Sequence, residues 1–338
     1  MRIARHSSAV SAAILALPLS LGAQVIDLTV HNTKLAIGDK PRVNGLRINF
    51  RDRYLDRVNG VNVTIWSPYE PPTGVVNGFA IGLPATGAKA ITGISVGALG
   101  VGAQNSIHGL GIGGAGVGAG GELRGIMLGG IGVGSGGGIT GLSVGLIGVG
   151  SGGSMRGIHL GGVGVGSGGE LTGISIGGIG AGAGGQLKGL AIGGIGVGAG
   201  SGFTGIGIGG IGVGSGGDAT GLMVGGVGVG AGGLLKGIAI GGGGVGAPRI
   251  KGLAVGGLGV GGLDVNAIVL TAGYFKVQDR GRFDGIALSG INDVRGLQRG
   301  LTIGLFNYAN ELHGAQIGVI NVSDNGGHRR VLPLVSVR

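Results

Sequence analysis

The chain contains no cysteine, which excludes disulfides and thiolate metal sites. Tryptophan occurs once and tyrosine 4 times, too few for the aromatic girdles of a membrane barrel. Charged residues make up only 11% of the 338 residues and hydrophobic ones 43%, the reverse of the balance that keeps a chain disordered. Prolines number 8, and the 93 glycines do not fall at every third position, so a collagen helix is excluded. Beyond the first residues no run of ~18 side-chain-bearing apolar residues marks a membrane-spanning helix.

What is present is organised. Arg2 and Arg5 precede an apolar stretch from Ala9 to Leu21, and Ala23 stands before Gln24. This is the layout of an export signal over residues 1–23 with cleavage after Ala23. Export without cysteine suits a bacterial envelope.

Glycines then recur at a fixed step. Gly109, Gly125, Gly141, Gly157, Gly173, Gly189, Gly205, Gly221 and Gly237 are each 16 apart, and Gly252 follows after 15. The same slot is filled at Gly45, Gly60, Gly78, Gly93, Ala267, Gly285, Gly300 and Gly314, which makes eighteen units. A fixed period of this size marks a repeat architecture. It gives a cap over 24–40, one array over 41–325 with a glycine-rich centre at 93–262, and a C-terminal strand or cap over 326–338.

Columns follow from the period. The residues one and three after each anchor are almost all Ile, Leu or Val, as in Ile174 and Ile176, while the residue between them varies, as in Arg47, Ser95, Met127, His159 and Gln316. Apolar, variable, apolar is the alternation of a strand with one buried face. The expectation is that the aliphatic columns face inward and the variable column outward. A second short strand, with Ile131 and Val133 in one unit, is bounded by the glycine pairs at 129–130 and 136–137. The fold class expected is an all-β parallel β-solenoid of about eighteen coils. An alternative stays open here, in which the glycine pairs are hairpin turns of an antiparallel meander or β-barrel.

The segment "GLTIGLFNYANELHGAQIGVINVSDN", from Gly300, resembles a family of bacterial surface-repeat proteins whose units read Gly, apolar, Gln, Ile, Gly, apolar, any, Asn. Gly314, Gln316, Ile317, Gly318 and Asn321 fit that unit, and Thr302 departs from it. The resemblance implies an exported, cell-surface location and brings no catalytic residue. A weaker likeness is to the β-roll heads of trimeric adhesins, carried by "AIGGIGVGAG" from Ala191.

Motifs that look chemical dissolve in the repeat. "GVGSGG" from Gly132 has dinucleotide-loop spacing, but its variants recur in unit after unit and no helix follows. "GGIGVG" from Gly129 approaches a calcium-binding nonapeptide, yet Gly134 occupies the aspartate slot. His108, His159 and His313 fall in different columns and read as separate surface histidines, and Asp52, Asp56 and Glu70 as solvated loop residues. No catalytic, cofactor or metal residue is assigned. The expected function is an exported or cell-surface structural repeat protein, adhesive or self-associating, and not an enzyme. The alternative is an outer-membrane β-barrel or membrane-inserted protein.

Two surfaces suggest partners. The residue before the anchor runs Arg124, Thr140, Arg156, Thr172, Lys188, Thr204, Thr220, Lys236, Lys251, a column suited to weak binding of an anionic surface polymer. Gly178, Gly180, Gly182, Gly194, Gly196 and Gly198 would form a bare face open to self-association. No nucleic-acid partner is expected, and membrane association stays open.

Overall fold

The computed structural model describes residues 26–30 and 33–338, with side chains from 34 onward. The export signal expected over 1–23 lies outside the described residues, as do the first residues of the 24–40 cap. The described chain is all-β, a parallel β-solenoid of about 18 coils at a spacing near 16 residues.

One coil shows the rule. A long strand, Glu122–Gly129, is followed by a glycine corner and a short strand, Gly132–Ser135. A second corner at Gly136–Gly137 begins the next coil. Each strand pairs in parallel with its equivalent one coil on, Leu123 beside Ile139, Gly125 beside Gly141, Val133 beside Val149. The two strands flanking a glycine pair do not hydrogen-bond to each other, so the antiparallel meander or barrel is not formed. Among the described residues, antiparallel pairing occurs only where Ile26–Val30 joins Thr33–Ile37 and where Ala315–Asn325 joins His328–Val337. Thr33–Ile37 itself lies parallel to the first recognised unit, with Lys34 opposite Gly45. Sequence reading missed this coil because a lysine fills the glycine slot.

The anchor glycines are required by geometry. From Gly45 to Gly252 they take φ between +116° and +137°, a region that side chains disfavour. A Cβ at Gly125 would lie 2.0 Å from the carbonyl oxygen of Gly109, so the backbone of the preceding coil occupies the space.

The inside-outside expectation is reversed. The variable column is the interior: Ser95, Met127, Ser143, His159, Ser175, Ala191, Ala239 and Ala254 are all fully buried. The aliphatic columns on either side point outward, with Ile126, Ile158, Ile206 and Ile238 each more than 40% exposed. Three further columns line the interior, represented by Leu123, Val133 and Ser135. Full burial of a Leu or Val side chain contributes about 1.5–3 kcal/mol, and the inward Leu and Val columns repeat this coil after coil.

The physical reason for the reversal is the width of the coil. A narrow interior takes one large residue per level, and its partner shrinks to match. Phe203 stands with Gly207 in one coil and Ala219 with Met223 in the next, all inside. A Cβ on Gly207 would come within 3.0 Å of Phe203 and of Val213, and 3.2 Å of Met223. Variation in that column is therefore size compensation in a core, not the drift of a surface.

Candidate functional site

The main candidate is the outer wall of the rod. Its two aliphatic columns run along the long strands, in register from Ile94 and Val96 through Ile174 and Ile176 to Leu253 and Val255. A third apolar column stands at the glycine corner. Ile131, Ile147, Val163, Ile179, Ile195 and Ile211 are chained coil to coil by backbone hydrogen bonds of 2.6–2.7 Å. Ile179 and Ile195 are each 50% exposed. Contiguous apolar surface on this scale marks an interaction face in a soluble protein.

The flanks differ. On one side the column Arg124, Thr140, Arg156, Thr172, Lys188 is in register and faces solvent, as the sequence suggests. Acidic residues pair with it, Glu122 with Arg124 two positions on at 2.7 Å and Glu170 with Lys188 of the next coil at 3.9 Å. On the other side the short strands carry a shallow glycine trough lined by Gly166, Gly182, Gly198 and Gly214, with Ala183 and Ser215 at its floor. A Cβ at Gly166, Gly198 or Gly214 would meet nothing within 4 Å. Gly178 and Gly194 belong instead to the corner, where a Cβ would lie 1.9 Å from a carbonyl oxygen.

The polar groups with chemical potential lie elsewhere, and two of them, His159 and Asp52, correct the sequence reading. His159 is not a surface histidine. It is fully buried, its Nδ1 is 2.7 Å from Ser143 Oγ in the neighbouring coil, and its Nε2 has no hydrogen-bond partner. Burial pushes its pKa down to about 4, so the ring is neutral at pH 7. A serine–histidine pair sealed in this way cannot reach a substrate.

Asp52 is likewise not a solvated loop residue. It is buried against Arg47, itself fully buried, and accepts hydrogen bonds from Asn49 at 2.8 Å and Thr64 at 2.8 Å. Asp39 approaches the same guanidinium at 2.7 Å and Asn62 accepts from it at 2.8 Å. Burial alone would raise the Asp52 pKa, but the Arg47 charge and these hydrogen bonds outweigh it and hold the carboxyl below its usual range. The network fills the interior of the first coils with polar groups. At the other end, Asn292, Asn307 and Asn321 form an inward ladder with amide hydrogen bonds of 2.7 Å. Gln316 and Asn321, which carry the family resemblance, thus point inward, and Ile317 is outward.

The third cluster is a groove of about 680 Å³ near the C-terminal end, lined by Tyr274, Phe306 and Tyr308 together with Arg280, Asp293 and Arg295. Tyr274 donates its hydroxyl hydrogen to Asp293, and Arg295 Nε lies 3.1 Å from the same carboxylate. Burial, then the carboxylate, pushes the Tyr274 pKa up to about 12. The carboxylate is held by a phenol and a guanidinium, so it is not set up as a general acid. Sequence reading did not assemble this groove, because an excursion at residues 278–281 breaks the period there. No group of three or more His, Asp or Glu that could hold a metal occurs among the described residues.

Comparison of the chain with protein-family models, with curated proteins and with solved structures found no match in any of the three.

Proposed function

We propose that the protein is an exported, non-catalytic structural rod of the cell surface, working through an outer wall that repeats on every coil rather than through one local site. The observation that carries this reading is the outward aliphatic wall. An enzyme gathers unlike polar groups at one place. Here the same aliphatic side chains recur from Ile94 to Val255, while His159 and Asp52 are buried with their partners and Asp293 is held by Tyr274 and Arg295. Export rests on the basic start, the apolar stretch and the small residues before Gln24.

The test uses the absence of cysteine. Lys188 lies on the exposed polar column, so Lys188→Cys gives a single reactive thiol. Intact cells producing this variant are treated with a membrane-impermeant maleimide. Labelling of intact cells is expected. Labelling only after lysis would place the rod inside the cell or behind a membrane and remove the surface reading.

A further inference from the structure

We infer that the aliphatic wall is covered by the same wall of a second copy of this chain, packed side by side. The inference rests on the rod reading but commits to an occupant that the rod reading leaves open.

Three observations lead to it. The first is area. Six residues from the first aliphatic column to the corner span about 16–20 Å, and each coil adds ~4.8 Å of height. Ten coils give on the order of 800–1,000 Å², which is what one partner contributes to a stable interface of standard size. The second is pitch. Side chains on the wall recur once per coil in strict register from Gly93 to Gly252. A globular partner or a lipid has no such repeat, whereas a second copy presents the same columns at the same spacing. Two such sheets can interdigitate dry, as identical strands do in stacked sheets. The third is chemistry. From Ile94 to Val255 both columns are aliphatic throughout, with none of the Trp or Tyr that anchors proteins at a lipid interface.

The charged column fits the arrangement. It borders the wall without entering it, so the cations stay in solvent when the walls meet. A two-fold axis perpendicular to the rods would make the contact isologous and closed. The glycine trough, the surface first expected to self-associate, lies outside this contact. It has open space above it, and the side chains at its floor, Ala183 and Ser215, are already buried.

The experiment compares the purified protein with the triple variant Ile174→Ser, Ile206→Ser, Ile238→Ser by analytical ultracentrifugation, with circular dichroism as the check on folding. All three residues are exposed, so the variant should keep the β spectrum of the parent. The parent is expected to sediment as a discrete oligomer. The variant should associate more than about a hundredfold more weakly, since apolar anchors at the centre of an interface dominate affinity. In parallel, Ile206→Cys should form an intermolecular disulfide under mild oxidation while Thr204→Cys, on the polar column, should not. Flotation with vesicles of phosphatidylcholine and phosphatidylglycerol supplies the lipid arm. A monomeric parent, or a variant that stays oligomeric, overturns the inference. So does a monomer that floats with the vesicles, which would make lipid the occupant. Each of these outcomes leaves the surface-labelling test of the rod itself intact.

Discussion

At the residue scale, glycine has two different jobs that the sequence alone does not separate. Gly173 has φ +116°, and a Cβ there would lie 2.1 Å from the carbonyl oxygen of Gly157. Gly198 has nothing within 4 Å of its Cβ position. Gly173→Ala should therefore cost at least about 1–3 kcal/mol. Gly198→Ala should be neutral or stabilise by about 0.4–1 kcal/mol through the unfolded chain. Urea denaturation of the two variants measures the difference. His159 supplies a pH signature. Its folded pKa is depressed from 6.5 to about 4, so the unfolded chain takes up a proton that the native coil refuses. The neutral ring's stability is present above about pH 6.5 and falls as pH drops toward 4, by about 3 kcal/mol if the whole shift is realised. His159→Ser, which copies Ser143 and Ser175 of the same column, should flatten that part of the stability profile. An unchanged slope between pH 6.5 and 5 would show that His159 is not buried neutral.

At the scale of the coil, the unit is a closed set of inward residues whose volumes must add up. Gly207→Ala would press on Phe203, Val213 and Met223 and should destabilise by about 1–3 kcal/mol. Adding Phe203→Leu reproduces the Leu187 and Ala191 pair of the preceding coil and should recover most of the loss. Additive effects in this double-mutant cycle would mean that the two positions do not share one space. Removing one whole unit, Gly173 to Lys188, leaves every column in phase and should give a shorter folded rod, whereas removing half of it should not. Protease resistance distinguishes the two deletions.

The coil is also where the sequence was most and least legible. Period, the long strands and parallel stacking were visible, because the anchor glycines and the doublets around Gly129 leave the chain few conformations; Ile131, expected in the second strand, stands instead in the corner before Gly132–Ser135. The face was not. Ile174 and Ile176 satisfy the ordinary rule for a buried strand, and that rule assumes that the apolar side of a sheet is covered within the same chain. What could have revealed the true interior was the pairing of sizes between Phe203 and Gly207 and between Ala219 and Met223. The Ser143–His159 pair was hidden for the same reason, since both lie in the column read as surface. Asp52 was missed because its partners Arg47, Asn62 and Thr64 come from two different coils, and a linear reading does not bring coils together.

For the whole molecule, the consequence is a rod whose thin core is apolar but admits polar residues such as Ser143 and His159, and whose outer wall is aliphatic as well. The polar balance of the surface is carried by the flanking cationic column, in a chain whose net charge is +10. The most direct measurement of this inversion uses two neighbouring residues. Ala239 is fully buried between Met223 and Ala254, and Ile240 beside it is 38% exposed. Thermal melts of Ala239→Asp and Ile240→Asp are compared with the parent. The expected result is that Ala239→Asp loses about 3–5 kcal/mol, because it seals an unpaired carboxylate inside the coil. Ile240→Asp should stay within about 1 kcal/mol. If Ile240→Asp unfolds the rod while Ala239→Asp melts with the parent, the aliphatic columns are the core and the wall described here does not exist.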